Sequence, residues 1–233
     1  MDYQDLIILH EDNQIIVVLK PQNVPCCPDE SKDDNLLDCV KQYIKVTYNK
    51  PGNVFTGLVH RLDRPTGGVM VFAKNTKSAE RLSTALQNGE FEKRYLAVLC
   101  GAPNKDSGEL KNYIRKNAVN NMSYVCTQTE SGAKYAELDY VIRGKEDGLS
   151  LADIRIHTGR SHQIRIQFSA INTPVYGDMK YGGAKAQKGK LALWAYSLKF
   201  VHPVTKEAMR FIALPPEEGV WGKFAINDIL QLQ

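Results

Sequence analysis

The residues with most scope for chemistry lie between positions 57 and 74. Gly57-Leu58-Val59 leads into His60-Arg61-Leu62-Asp63-Arg64-Pro65-Thr66-Gly67-Gly68, and the chain then enters Val69-Met70-Val71-Phe72-Ala73, closed by Lys74. A single carboxylate, Asp63, thus sits between two arginines at the junction of two apolar segments. Burying a carboxylate costs free energy unless charged donors surround it, and Arg61 and Arg64 are at hand. Opposite charge keeps Asp63 ionised, as a nucleophile requires. Pro65 fixes one backbone angle, while Gly67 and Gly68 accept conformations that a Cβ resists. A carboxylate on a rigid loop beside a strand end is well placed for catalysis. The competing use of such a residue is to shape a turn by capping amides near Thr66.

Two later segments carry further candidates. Glu92-Lys93-Arg94-Tyr95-Leu96-Ala97-Val98-Leu99 places Tyr95 in strand register with Ala97 and Leu99, the pattern of a core tyrosine. Ile156-His157-Thr158-Gly159-Arg160-Ser161-His162-Gln163-Ile164-Arg165 is dense in donors. Ser161 is suited to cap a following helix, with Ile164 and Phe168 on its apolar face. His157 and His162 have no acidic ligands at metal spacing, so no metal site is expected.

Taken together, these strings resemble the RluA family of pseudouridine synthases. The family signature H-R-L-D-x-x-T-S/G-G, followed by an apolar strand and Ala-Lys, is met at every element from His60 to Lys74. The Tyr95 segment resembles the second family motif, and Thr158 to Arg165 resembles T-G-R-x-H-Q-I-R. Leu191-Ala192-Leu193-Trp194-Ala195 with His202-Pro203 resembles the closing L-x-L-H-A and H-P elements. Two positions depart from the pattern: Trp194 stands where His is usual, and Gln167 where His is frequent. The resemblance runs from Leu6 to about Leu214, in the expected order.

The resemblance implies conversion of uridine to pseudouridine in structured RNA, tRNA or rRNA or both, without a cofactor. It implies Asp63 as nucleophile, Tyr95 as a second catalytic group and Arg165 as the arginine paired with the catalytic aspartate. Arg61, His60, Arg64, Thr66, Arg160, His162, Gln163 and Leu193 are its implied substrate-binding residues. Arg61 is the candidate to fill the space left by an everted base, and Leu193 the candidate to pack on uracil.

One carboxylate suffices for such chemistry. Glycoside hydrolysis generally needs a second one, because an alkoxide must be protonated as it leaves. Uracil leaves as a delocalised anion. Asp63 can assist at the sugar C1′ or attack C6 of the base, and the sequence leaves both open. The final loss of the C5 proton needs only a weak base. Tyr95 would act as that base or stack on the ring; a free phenol titrates near ~10, so nearby arginines would help it. Two other classes compete: an RNA-binding protein without catalysis, and a base-excising hydrolase that would release free uracil.

The elements that must position these groups follow from periodicity. Leu6 to His10 and Gln14 to Lys20, around Glu11-Asp12-Asn13, read as a hairpin. Apolar spacing predicts helices over Leu36 to Tyr48, Ser78 to Gln87 and Ser161 to Ile171. Further strands are predicted over Lys93 to Cys100, Glu109 to Arg115, Ala133 to Arg143, Leu149 to His157, Leu191 to Val201 and Glu207 to Ala213. Many strands with few helices predict an α+β fold, a long mixed and mostly antiparallel sheet flanked by helices with a central catalytic cleft, the pseudouridine synthase fold. With no repeat or linker, residues 1–233 are expected to form a single catalytic domain. The fused N-terminal RNA-binding domain of many relatives is expected to be absent.

Composition is consistent with this assignment. At 233 residues and 43% hydrophobic the chain can bury a core. No apolar run approaches the roughly 20 residues that span a bilayer, and the N-terminus lacks a secretory pattern, so a cytoplasmic protein is expected. Five cysteines without C-x-x-C spacing are expected to be reduced. Net charge is only +4, but residues 1–50 hold five basic and nine acidic side chains, so the positive excess lies further on. It peaks from Arg155 to Lys190, where seven basic residues accompany one acid, Asp178. Such a stretch can supply phosphate contacts to RNA. No obligate protein partner is expected, and a monomer is the default.

Overall fold

A computed structural model describes residues 1–117 and 122–230. In chain order its strands are β1 (Ile7–Glu11), β2 (Ile15–Lys20), β3 (Gly57–Leu58), β4 (Gly67–Ala73), β5 (Glu92–Cys100), β6 (Ser107–Asn117), β7 (Met122–Cys126), β8 (Lys134–Glu146), β9 (Leu149–Ile156), β10 (Leu193–Val201) and β11 (Ala208–Ile212). The helices are α1 (Leu36–Thr47), α2 (Thr76–Gln87), α3 (Gln163–Ala170) and α4 (Ile226–Leu230). Many strands with few helices place the chain in the expected α+β class. The chain gathers into two compact units, Met1–Glu92 with Ala195–Ala213, and Lys93–Trp194 with Leu214–Gln233.

In the first unit β4 is buried along its whole length, which is why its sequence is continuously apolar instead of alternating. It pairs antiparallel with β2 and with the short β3. β1 extends the sheet beyond β2, and β10 pairs with β11. Val69, Val71 and Ala73 share one face with Ile15 and Val17, and this face packs with Leu82 of α2, Leu198 and Phe200. Phe91 stacks on Phe200 at a centroid distance of 5.2 Å. Both helices start on asparagine caps: the Asn35 side chain accepts from the Asp38 amide at 3.1 Å, and Asn75 from the Ser78 amide at 2.9 Å. The β2–β4 register sets Lys20 opposite Gly68, so the end of β2 lies beside the exit of the Asp63 loop.

In the second unit β5, β9, β8, β6 and β7 follow one another as antiparallel neighbours. Tyr95 of β5 pairs with Ile154 of β9. Helix α3 lies on this sheet, with Ile166 packed against Ile114 and Ala136, and Phe168 edge-on to Tyr140 at 5.4 Å. Gln167 is fully buried and donates to the Leu110 carbonyl and the Asn112 side chain, both at 2.9 Å. Its departure from histidine thus has a packing role beneath β6.

Two expectations need correction. Ser161 does not cap α3: the cap residue is His162, held at φ 56° without a side-chain cap bond. The Gln163 amide instead closes a turn on the Arg160 carbonyl at 3.1 Å, while the Gln163 side chain accepts the Arg160 amide at 3.0 Å. That turn occupies the residues a Ser161 cap would need, and the helix starts two positions later. Strand β7 is also additional to the expected strands; its five residues, Met-Ser-Tyr-Val-Cys, lack a clear apolar alternation.

Candidate active site

The first unit holds Asp63 on a loop whose backbone is tied down at almost every neighbour. The Val71 amide donates to His60 Nε2 at 3.2 Å. The thiol of Cys26 takes both backbone groups of Leu62, donating to its carbonyl at 3.1 Å and accepting its amide at 3.3 Å. The Asn23 amide donates to the Arg64 carbonyl at 2.8 Å, and Gln22 Nε2 to the Pro65 carbonyl at 2.9 Å. The Thr66 amide goes to the backbone carbonyl of Asp63 at 2.9 Å, so this turn is closed by main chain. Beneath the loop lies Lys20, whose side chain is 0% exposed. Its Nζ donates to the carbonyls of Pro21 (2.9 Å), Arg64 (3.0 Å) and Thr66 (2.8 Å).

These contacts have an electrostatic consequence. Burial pulls the Lys20 pKa down to about 8, against the opposing pull of the Cys26 thiol and the Asp63 carboxylate, which favour the ammonium. Burial also pushes the Cys26 thiol up, and its two bonds to Leu62 make this cysteine a clasp for the loop. All five cysteines are free thiols. Of the two arginines beside Asp63, Arg64 points into the 23–33 segment. Its Nε donates to the Asn23 carbonyl at 3.1 Å, Nη1 to Ser31 at 3.1 Å, and Nη2 pairs with Asp33. His60 and Arg64 therefore shape the loop, and Thr66 is buried within it.

Gly68 ends the loop at φ +132°, in backbone space that L side chains rarely adopt. A Cβ there would stand 2.2 Å from the Ala195 carbonyl oxygen, so β10 passes directly over this position. The two conditions together leave no residue but glycine.

The second unit holds the other candidates. Tyr95 is buried on β5. Two residues earlier on the same face, Lys93 is pulled below the usual lysine range by burial, with its Nζ 3.6 Å from where a Cβ on Gly159 would stand. Arg165, buried on α3, makes a bidentate pair with Asp178: Nε to Oδ2 and Nη2 to Oδ1, both 2.8 Å. Its guanidinium also lies over the Tyr181 ring, 5.0 Å from the centroid. The Tyr181 hydroxyl lies 2.6 Å from His162 Nδ1. Gln163 receives the Thr158 hydroxyl at 2.7 Å and donates to the Glu137 carbonyl at 3.0 Å, and Arg160 Nε donates to the Tyr135 carbonyl at 2.7 Å. The structure thus gives Gln163 and Arg160 well-defined roles in holding the turn before α3. Leu193 and Trp194 are both buried.

Sequence reasoning missed Lys20, Asp178 and Tyr181, and took Cys26, beside Cys27 in a Pro-flanked loop, for an ordinary reduced thiol without chemistry. Lys20 carried a weak signal, as a cation ending the apolar run Ile15 to Leu19. Asp178 carried a stronger one, as the lone acid among seven basic residues. An acid so placed is a natural counter-charge for a buried arginine.

Residues 14–170 match the family model for RNA pseudouridylate synthase. The chain is 33% identical to the RNA pseudouridine synthase YjbO of Bacillus subtilis, over 91% of this chain and 74% of that protein. It is 30% identical to ribosomal large subunit pseudouridine synthase D of Vibrio cholerae, over 97% of this chain and 72% of the relative. Among solved structures, human RNA pseudouridylate synthase domain containing 4 superposes with a TM-score of 0.78, at 21% identity, covering 97% of this chain and 94% of the human one. That likeness concerns the fold.

Proposed function

The chain belongs to the RNA pseudouridylate synthase family, and on that premise we propose that Asp63 is the nucleophile with which it isomerises particular uridines in tRNA, rRNA or both. The observation that carries this reading is the Asp63 loop itself. Residues 60, 62, 64, 65 and 66 are each anchored by hydrogen bonds, and a buried ammonium lies below them. A loop that only turned the chain would not need a charge in its floor. Preorganisation of this kind lowers a barrier by fixing the reacting group before substrate arrives.

In the proposed sequence Asp63 assists departure of uracil from the ribose, at C1′ or through C6. The base turns within the site and rejoins the sugar through C5. The C5 proton then leaves, with Tyr95 as its acceptor or as the surface on which the ring stacks. Arg165 stabilises the carboxylate's charge through this cycle. Arg61 fills the space of the everted nucleotide, and Leu193 packs against uracil. The remaining candidates, His60, Arg64, Thr66, Arg160, His162 and Gln163, serve binding by shaping the loops that receive RNA. The exposed members of the basic stretch, Arg155, Lys185, Lys188 and Lys190, supply phosphate affinity. We place this work in the cytoplasm, in keeping with the lack of any helix among the described residues long and apolar enough to cross a membrane.

The test uses cellular RNA from a strain lacking the gene, tritiated at uridine C5. Wild-type protein releases tritium to water and retains the base in the polymer. The Asp63→Asn variant releases none. Wild-type tritium release by that variant sinks the assignment, and free uracil in the wild-type reaction would mark a base-excising hydrolase instead.

A further inference from the structure

We propose that Asp178, backed by the ring of Tyr181, is a positioning residue that fixes the guanidinium of Arg165 for the uridine reaction; this rests on the role given to Arg165 above. The Asp178 side chain is 0% exposed. Its Oδ2 accepts Arg165 Nε, while Oδ1 accepts Arg165 Nη2 and also the amides of Lys180 and Tyr181, each at 3.0 Å. Two parallel bonds to a planar fork set both the position and the tilt of the guanidinium, which a single contact cannot do. Tyr181 lies against its face. With Nε and Nη2 both held, the plane of the guanidinium is set, and with it the direction of Nη1.

The aspartate is itself held by the strand that carries Tyr95. The Tyr176 amide donates to the Val98 carbonyl at 2.8 Å, and the Cys100 amide to the Pro174 carbonyl at 2.8 Å. On the other side the Ala192 amide donates to the Tyr176 carbonyl at 2.9 Å. Gly177 lies between these anchors and Asp178 at φ +74°, and a Cβ on it would stand 2.2 Å from the Lys190 carbonyl oxygen. The path from β5 to Asp178 to Arg165 is thus continuous and rigid. It gives Tyr95 and Arg165 a common reference, although they lie on different elements.

The test is Asp178→Asn. Asparagine keeps an oxygen for the Lys180 and Tyr181 amides, so the loop retains its cap, but it presents N–H groups toward the arginine and removes the counter-charge. On tritiated cellular RNA, folded Asp178→Asn should lose about a hundredfold in kcat, the usual scale for a misplaced catalytic group, with KM for RNA within about twofold. In an Arg165→Met background the same change should cost nothing further. A kcat within threefold of wild type, or a loss that persists in full beside Arg165→Met, overturns the proposal. If Asp178→Asn does not fold, Tyr181→Leu is read in the same cycle, with the same non-additivity expected. Wild-type kcat in Arg165→Met alone would instead refute the role given to Arg165, and activity in Asp63→Asn the role of the nucleophile.

Discussion

Replacing Lys20 with methionine isolates the buried charge under the Asp63 loop. In the unfolded chain a lysine titrates at 10.5, whereas the folded Lys20 does so at about 8. Between these values the unfolded state holds the proton and the folded state does not, so stability rises with pH through that window. Below about 8 both states are charged, and the folded protein bears the full cost of the buried ammonium, on the order of 3 kcal/mol at 1.36 kcal/mol per pKa unit. Integrating from about pH 7.5 to about pH 9.5 yields a wild-type gain of about 2 kcal/mol from this one group. Lys20→Met has no such group. Every other titration is common to both proteins and cancels in their difference. Urea unfolding of the two at both pH values should therefore show the wild type gaining about 2 kcal/mol on the variant as pH rises. A stability difference that stays constant would refute the reasoning, because it would mean that the amine is not desolvated by the fold. The variant also loses three donors to the loop, so its isomerisation rate should fall even where its stability is adequate.

Two further perturbations probe the first unit. Gly68→Ala combines a disfavoured φ with a 2.2 Å approach to the Ala195 carbonyl and should cost more than about 4 kcal/mol or prevent folding, while Gly89→Ala, at φ +77° with nothing within 4 Å, should cost about 1 kcal/mol. Thermal unfolding of both separates steric contact from backbone strain. Glu11 pairs with Lys74 at 2.6 Å and accepts the hydroxyls of Tyr43 and Tyr48 at 2.9 Å. Burial alone would raise its pKa, but the Lys74, Tyr48 and Tyr43 bonds outweigh it and hold the carboxyl below its usual value. Glu11→Gln should cost about 3–5 kcal/mol at neutral pH by leaving Lys74 unpaired, and the cost should shrink as pH falls below 4.5 and the wild-type carboxyl protonates. A deficit that is the same at pH 7 and in acid would count against the ion pair.

The sequence carried the elements because their signals are local. The Glu11-Asp12-Asn13 turn between two apolar runs, the helical spacing of apolar residues in α1 and α2, and the apolar run of β4 each report on a few neighbouring residues. It carried the candidate motifs because Asp63, Tyr95 and Arg165 lie in long matching strings. What it did not carry was the support beneath them. Lys20 acts on carbonyls 44 and 46 residues away, and Cys26 on a backbone 36 residues away. Such contacts arise only once β2 has paired with β4, and no spacing in the sequence encodes that register. The Ser161 cap failed for a related reason. Serine favours helix starts in general, but the Gln163 amide that a Ser161 cap would receive goes to the Arg160 carbonyl.

The pairing of Lys20 with Gly68 makes β2 a ruler for the whole hairpin. Side chains alternate faces along a strand, so a slip of one position would carry the ammonium to the opposite side of the sheet and bring Leu19 or Pro21 to the loop's underside. The turn at Glu11-Asp12-Asn13 is itself closed by hydrogen bonds, the Asp12 side chain accepting the Gln14 amide at 2.6 Å and the Ile15 amide at 2.9 Å. From this turn to Lys20 the chain has little slack, and heritable insertions or deletions should be rejected there even among residues remote from any reacting atom.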